Sequence, residues 1–203
     1  MITIEQAFEH YVGAEAVHDF DHVLRVLALA ERLARAEGAD LEIVRAAALL
    51  HDAARGKGGD QDHAQAGAEI ARRLLTGQPR DRVEAVAHAI AAHRFRGGPE
   101  PETIEARVLH DADKLDAIGA VGIGRAFHYG GQHGQRLWGE VAPDYEETPA
   151  SKEVHTPVHE YVFKLARIKD RLLTTSARRL AEERHAFMVA FFRQLDREVH
   201  GLA

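Results

Sequence analysis

The histidines of this sequence are its most informative feature, because several share helical faces with apolar residues. The chain has 203 residues and 14 histidines, and imidazole is the commonest metal ligand and the usual acid or base near neutral pH. Helical spacing places four of them on apolar faces, namely His22, His51, His63 and His93. Buried polar groups without partners are costly, and one metal centre that also includes Asp52 or Asp113 would satisfy all four. The sequence therefore predicts a divalent metal centre.

The adjacent pair His51-Asp52 strengthens this prediction. Neighbouring side chains on a helix point roughly 100° apart, so one can bind an ion while the other reaches a second ion or a water. For any one of these histidines a hydrogen-bonded core position is the ordinary interpretation, so the metal hypothesis depends on the joint pattern. The remaining histidines that we considered lie off the apolar faces or in polar company and are predicted to be solvated: His10, His88, His155, His159, His185 and His200.

Three segments together resemble the H…HD…D signature of the HD superfamily of metal-dependent phosphohydrolases: His22-Val-Leu-Arg-Val26, His51-Asp52 and Asp111-Ala-Asp113-Lys-Leu115. That family folds as a helical bundle. The resemblance implies the metal ligands His22, His51, Asp52 and Asp113. His22 is preferred to His18 because the family's first histidine lies just before an x-x-Arg-Val turn. Asp113 is preferred to Asp111 because the family's last ligand precedes a basic residue and leucine.

Longer segments are similar to the YedJ/YpgQ-type branch of that superfamily, over nearly the whole chain. They are Ile90–Gly97, Glu105–Arg125, Lys164–Lys169 and Ala181–Met188. A member of this branch is a pyrophosphatase that acts on deoxynucleoside triphosphates with a divalent metal. The resemblance therefore implies hydrolysis of a nucleoside triphosphate to the monophosphate and pyrophosphate. The alternatives are a nucleotide phosphomonoesterase or phosphodiesterase, or a regulator that binds nucleotide or metal without catalysis.

The sequence differs from the branch at Arg55, and it has two further histidines, His63 and His93, that could bind a second ion. The branch often has an acidic residue three positions after the HD aspartate, followed by an aromatic residue and lysine, whereas this chain has Arg55 there and keeps Lys57. His63 and His93 resemble the extra histidines of dinuclear HD enzymes such as the YqeK-type nucleotide hydrolases. A second ion is therefore expected, and the alternative is that these two histidines bind substrate phosphate or pack in the core.

The expected chemistry follows from the donor set. With no cysteine in the chain, the ligands are imidazoles and carboxylates, which suit Mn, Fe, Zn, Ni, Co or, with fewer imidazoles, Mg, as one or two ions. Such an ion lowers the pKa of a bound water toward 7 and so supplies a nucleophile for phosphorus. We expect a catalytic role for Asp52 and Lys57, and substrate-phosphate binding by Lys57, Arg94 and Arg96. The alternative for each cation is a solvated helix end.

The elements that must position these residues are predicted to be helices throughout, because strong helix formers dominate the chain. Expected helices cover about 21–36, 41–52, 63–75, 81–93, 103–115, 158–173 and 176–200, with Gly38 as a C-terminal residue and Asp40 as an N-cap. The glycine-rich stretch 119–134 is left without an assigned element, and 143–157 is expected to be surface loop. The prediction is an all-α, single-domain helical bundle of the HD type over 1–203, with a core at about 18–128 and C-terminal helices at 158–200.

Composition excludes several classes of protein. The net charge of −6 and pI near 6.1 argue against stable nucleic-acid binding, which favours a basic face. Apolar stretches such as Ala46–Leu50 are far shorter than the roughly 20 residues that cross a bilayer. The first residues also lack the pattern of a signal peptide. We therefore expect a cytoplasmic protein whose partner is a small phosphorylated substrate, with homodimer formation left open.

Overall fold

The structure is a computed structural model, and it describes residues 1–11, 20–55, 63–94, 98–142, 145 and 155–203. The described part of the chain is helical, which confirms the all-α prediction. Its α-helices, numbered α1 to α9 in chain order, are Ile4–Phe8, Phe20–Glu37, Leu41–Leu50, His63–Leu74, Arg80–Ala91, Ile104–Asp116, Gly119–Gln132, Pro157–Phe163 and Thr175–Val199. A 3-10 helix, Leu165–Arg171, lies between α8 and α9.

The chain divides into two compact units. The first comprises Met1–Lys114 with Leu172–Ala177, and the second comprises Leu115–Arg171 with Arg178–Ala203. The expectation of one domain over 1–203 stays a prediction. Within the described residues, no helix combines the length and the apolar character that crossing a membrane requires.

Helix α3 is the centre of the first unit. It contacts α1, α2, α4 and α5. Glu42 and Arg45 near its start are exposed, but its C-terminal half is apolar on every side, as is usual for a buried helix. Its last five residues are all buried: Ala46, Ala47, Ala48, Leu49 and Leu50. Because α3 ends at Leu50, the chain delivers His51 and Asp52 directly into the core of the unit.

Residues in the turn between α2 and α3 determine where α2 ends and α3 begins. Gly38, just after α2, has φ +72°, the left-handed conformation that glycine adopts readily after a helix. The Asp40 side chain then accepts hydrogen bonds from the backbone N–H groups of Glu42 and Ile43, as an N-cap does. Both predictions for this turn are confirmed.

Helix α4 approaches the end of α3 closely at Gly67. A β-carbon there would lie 3.2 Å from Ile90 Cγ2 and 3.3 Å from the His51 carbonyl oxygen, which is tighter than ordinary van der Waals contact. Glycine at this position therefore lets α4 pack against the turn that carries the HD pair.

The second unit differs most from the sequence prediction. The stretch 119–134, which received no element, is largely helix α7, because its glycines fit particular contacts. Gly119 has φ +80°, and a β-carbon there would lie 3.0 Å from Arg184 Cγ. A β-carbon at Gly122 would collide with the Ala117 carbonyl.

The two ends of the chain also refine the prediction. The expected helix 158–173 is divided into α8 and the 3-10 helix, whereas the expected helix 176–200 is confirmed as α9. Helix α1 was not predicted, although Thr3 and Gln6 form a reciprocal capping box at its start, which is a recognisable helix-start motif. Of the expected loop 143–157, residues 143–144 and 146–154 lie outside the described residues.

Candidate metal centre

Side chains from five places in the first unit converge on one cluster. His22 lies in α2, His51 and Asp52 follow α3, His63 begins α4, His93 follows α5, and Asp113 lies in α6. His22, His51 and His93 are buried, as their helical spacing predicts, while His63 is 23% exposed. These are all six residues that the sequence analysis named as metal ligands.

The first set of candidate ligands consists of His22, His51 and Asp113. The Nε2 atoms of His22 and His51 are 3.3 Å apart, and His22 Nε2 lies 3.4 Å from Asp113 Oδ1. Ligand atoms that surround one ion at 2.0–2.2 Å are themselves about 3 to 3.6 Å apart. The donor atoms of this set therefore already have the spacing that a single ion needs.

The second set consists of Asp52, His63 and His93. Asp52 Oδ1 lies 3.6 Å from His63 Nε2 and 3.8 Å from His93 Nε2. The other Asp52 oxygen, Oδ2, faces the first set, at 3.8 Å from His22 Nε2 and 3.7 Å from His51 Nε2. The two oxygens of one buried carboxylate thus point to two different sets of nitrogen donors.

Two backbone carbonyls orient the rings of His51 and His93. Each residue follows the C-terminus of a helix and donates from Nδ1 to the carbonyl three residues earlier, Ala48 at 2.8 Å and Ile90 at 2.6 Å. Because a carbonyl can only accept, Nδ1 carries the proton and Nε2 keeps its lone pair. Metal-binding histidines are commonly oriented by a hydrogen bond of this kind, so the donor chemistry fits a divalent ion.

The electrostatics of the cluster favour the protonation states that bind metals. Burial lowers the pKa of His93 to about 3, which keeps its ring neutral. Burial alone raises the pKa of the Asp52 carboxyl, but positive charge around it, including that of Arg55, outweighs this and holds the pKa below its ordinary value. For Asp113, Lys114 and His22 outweigh burial in the same way. Both carboxylates are therefore ionised at neutral pH.

Lys114 connects the two sets, a role that the sequence analysis did not assign. Its Nζ donates to Asp113 Oδ2 at 2.7 Å and to the backbone carbonyl of His93 at 3.1 Å. A lysine beside the last aspartate was visible in the sequence, but its reach to His93 depends on how α6 packs against the end of α5. Arg55, the residue that departs from the branch, donates to both oxygens of Asp52.

The predicted phosphate-binding cations have different outcomes. Arg94 immediately follows His93 in the chain and is partly exposed. Lys57, predicted to have a catalytic and a substrate-binding role, and Arg96, predicted to bind substrate, both lie outside the described residues. Their roles stay predictions.

Asp111, the rejected alternative to Asp113, has a different environment. It is fully buried and accepts hydrogen bonds from the backbone N–H groups of Leu173 and Thr174 and from the Thr174 hydroxyl. It therefore fixes the segment just before α9 and does not face the cluster. His18, the alternative to His22, lies outside the described residues.

The prediction that His159 is solvated is wrong. Only 3% of His159 is exposed, and its Nδ1 pairs with the Thr156 hydroxyl at 2.8 Å. Its ring lies 4.5 Å from that of Tyr145. Helix α8 has only seven residues, which is too short for an apolar periodicity to identify its buried face, and His159 has polar neighbours in the sequence.

The fold and the cluster together define the HD class of metal-dependent phosphohydrolases. Residues 19–118 match the HD domain family. YpgQ of Bacillus subtilis is 38% identical over 189 residues, which cover 91% of this chain and 86% of that protein. The chain therefore belongs to the HD-domain family and is a metal-dependent phosphohydrolase.

Solved structures of relatives share this fold. The crystal structure of Bacillus subtilis YpgQ in complex with ADP has a TM-score of 0.76 and 35% identity, covering 99% of this chain and 100% of that one. An HD-superfamily hydrolase from Bacillus thuringiensis has a TM-score of 0.73 and 30% identity, covering 97% and 96%. A shorter match, to Ribonuclease Y of Chloroflexus aurantiacus, is 43% identical over 98 residues, which is 46% of this chain and 17% of that protein.

Proposed function

We propose that this phosphohydrolase acts on small nucleotides and that its principal reaction is the hydrolysis of a nucleoside triphosphate to the monophosphate and pyrophosphate. The observation that carries the proposal is the Asp52 carboxylate, whose two oxygens face two separate sets of histidine nitrogens. A carboxylate in that position suits a pair of ions that share one ligand, as in two-metal sites for phosphoryl chemistry.

Each set has residues suited to hold an ion. His22, His51 and Asp113 would hold the first, and His63 and His93 would hold the second, with Asp52 between them. The donor set suits Mn, Fe, Ni, Co or Zn, and Mg where fewer imidazoles bind; manganese is our first choice. When bound, such ions lower the pKa of a water and neutralise phosphoryl charge.

The chain's own residues prepare this site for a polyanion. Asp52 and Asp113 are ionised and are balanced by Arg55 and Lys114, so divalent ions would leave the site with net positive charge. Such a site attracts phosphate groups in proportion to their charge, and a triphosphate carries more than a monoester. Arg94, and Lys57 with it, would bind the phosphates that lie beyond the ions.

Support for a nucleotide comes from the relatives. YpgQ was crystallised with ADP, and the similarity to that protein covers nearly the whole of this chain. Water would attack the α-phosphorus and expel pyrophosphate, or attack the β-phosphorus and expel the monophosphate; in both cases the bridging α–β P–O bond would break. The proton of the attacking water would pass to solvent.

A nucleotide panel tests this proposal. Protein stripped of metal is given Mn, Mg, Ni, Co, Fe or Zn in turn, and products are identified after reaction in ¹⁸O-labelled water. We expect metal-dependent release of pyrophosphate, with the label reporting which phosphorus is attacked. The Asp52→Asn variant should be inactive, while Asp170→Asn, which alters an exposed aspartate paired with Lys169, should match the wild type.

The second candidate is phosphodiester hydrolysis, which the similarity to Ribonuclease Y over 98 residues favours. The same panel distinguishes the two when it includes linear and cyclic dinucleotides and a short RNA. Tight metal binding without turnover of any substrate would instead favour the regulator. A cytoplasmic location, the absence of stable nucleic-acid binding and a homodimer stay predictions, as does one HD-type domain over 1–203.

A further inference from the structure

Arg55 contacts the carboxylate that lies between the two ligand sets. Its Nη1 donates to Asp52 Oδ2 at 3.0 Å and to Oδ1 at 3.3 Å. The Asp52 side chain is 2% exposed and that of Arg55 is 40% exposed. Arg55 therefore lies on the solvent side of the carboxylate.

One nitrogen that bonds both oxygens of a carboxylate must lie in front of it. The Nε2 atoms of the two ligand sets lie within 3.8 Å of the same oxygens. A guanidinium cannot be deprotonated in a protein, and like charges repel strongly where water is excluded. Two divalent ions held by these sets would therefore compete with the Arg55 guanidinium for the Asp52 carboxylate.

Lys114, the other cation of the cluster, contacts its carboxylate differently from Arg55. Lys114 bonds Asp113 through Oδ2, while the Oδ1 of Asp113 faces His22 at 3.4 Å. Lys114 thus leaves the oxygen that faces the nitrogen donors open, as a positioning residue should. Arg55 instead donates to both oxygens of Asp52, so each oxygen that faces a ligand set already accepts a hydrogen bond from a cation.

We propose that Arg55 is an internal cation that the second divalent ion displaces from Asp52, and that the released guanidinium binds a phosphate of the substrate. The inference rests on the two-ion centre proposed above. Guanidinium groups bind phosphate and carboxylate with the same forked geometry, so phosphate can replace Asp52 as the partner of Arg55. By thermodynamic linkage, phosphate and the second ion then strengthen each other's binding.

The test is a titration of metal-free protein with Mn²⁺, followed by calorimetry and by the electron paramagnetic resonance signal of coupled Mn²⁺ pairs. The variants are Arg55→Met, Arg55→Gln and Arg55→Lys. We expect the two neutral variants to bind the second Mn²⁺ about 10-fold more tightly than the wild type, because an ion pair has been removed. Arg55→Lys keeps the charge and should remain near the wild type.

Two further measurements complete the test. Inorganic phosphate should tighten binding of the second Mn²⁺ in the wild type by a larger factor than in Arg55→Met. Arg72→Met is the matched control, because it removes a surface arginine that pairs with Glu69 and Glu84, and its titration should equal that of the wild type. In the absence of metal, Arg55→Met should lower the melting temperature, since Asp52 loses its counter-ion.

Second-ion affinity that is unchanged or weaker in both neutral variants would overturn the proposal and make Arg55 a residue that orients Asp52 for metal binding. Wild-type protein that binds no Mn²⁺ would instead overturn the metal centre itself. A phosphate effect of equal size in the wild type and in Arg55→Met would overturn the exchange of Asp52 for phosphate.

Discussion

The two units each contain a group of neighbouring histidines, and these groups differ in the partners of the rings. In the first unit, His51 and His93 bond backbone carbonyls through Nδ1 and turn Nε2 toward carboxylates. In the second unit, His155 pairs with the Tyr145 hydroxyl and His159 with the Thr156 hydroxyl, and a single carboxylate, that of Glu160, lies 3.5 Å from His155 Nε2. Tyr145 also stacks on Phe163.

This difference teaches that histidine density alone does not make a metal site. A ring whose Nδ1 is held by a carbonyl presents a lone pair at Nε2, and several such lone pairs directed at carboxylates form a ligand set. A buried ring such as that of His159, which pairs with a hydroxyl and packs against Tyr145, is a satisfied core residue. Among the described residues, only the first unit has groups of three donors close enough to share an ion.

The largest expected effect comes from exchanging one histidine in each group. His51→Ala should lower kcat/KM by about 1,000-fold or more, because it removes a ligand of the ion that supplies the nucleophile. His159→Asn should leave metal content and kcat/KM near those of the wild type and lower only the melting temperature. Activity assays with metal analysis by mass spectrometry check both variants. Equal loss of metal in the two variants would remove the distinction between the groups.

The next effect concerns Lys114, which links the two ligand sets. Lys114→Met should weaken Mn²⁺ binding by about 10- to 100-fold, as loss of an orienting partner does at metal sites. The matched control is Lys169→Met, which breaks pairs with Asp170 and Glu182 on the surface. Calorimetric titration measures both, and a wild-type affinity in Lys114→Met would show that the ligands are held by packing alone.

A third comparison separates the two aspartates of the Asp-Ala-Asp motif. Asp111→Asn should reduce the free energy of unfolding by about 2 kcal/mol, because one of the two oxygens that accept from buried N–H and O–H groups becomes an NH2 donor, yet it should keep its metal. Asp113→Asn should lose metal with little change in the stability of the metal-free protein. Urea unfolding measures the stability of both metal-free variants, and metal analysis measures how much metal each variant binds. The reverse pattern would reassign the ligand to Asp111.

The last comparison concerns the pH dependence of stability. The pKa of His93 is about 3 in the folded chain and about 6.5 in the unfolded one. Between these values the unfolded chain binds one more proton, so stability falls as the pH decreases from 6.5 toward 3. The slope from this residue is at most about 1.4 kcal/mol per pH unit. Urea unfolding of metal-free protein at pH 4.5–7.5 should show a shallower slope in His93→Gln than in the wild type.

Much of the fold could be predicted from local signals. The boundaries of α2 to α6 follow from apolar spacing, from the glycine after α2 and from the Asp40 cap, each of which acts within a few residues. Helix α7 could not be predicted in this way. Glycine has a low helix propensity, so the glycines of α7 predict a broken helix. The close approach of Arg184 to Gly119 and of Ala117 to Gly122 leaves no room for a side chain and explains why glycine occupies these positions.

The candidate site shows the same division. Six donors could be named from spacing and motif because each lies on, or at the end of, an amphipathic helix. The burial of His159 could not be predicted, because it depends on the packing of a short helix. The hydrogen bond from Lys114 to the His93 carbonyl could not be predicted either, because the two residues are distant in the sequence.

By itself the sequence determined the all-helical class, the inward histidines and the HD motif, because periodicity and adjacency are properties of the covalent chain. Only the tertiary structure decided which oxygen of Asp52 faces which nitrogens, that Lys114 bonds one oxygen of Asp113, and that Arg55 bonds both oxygens of Asp52. Those relations depend on how α2, α3, α4, α5 and α6 meet, and such distances arise from packing between segments far apart in the chain.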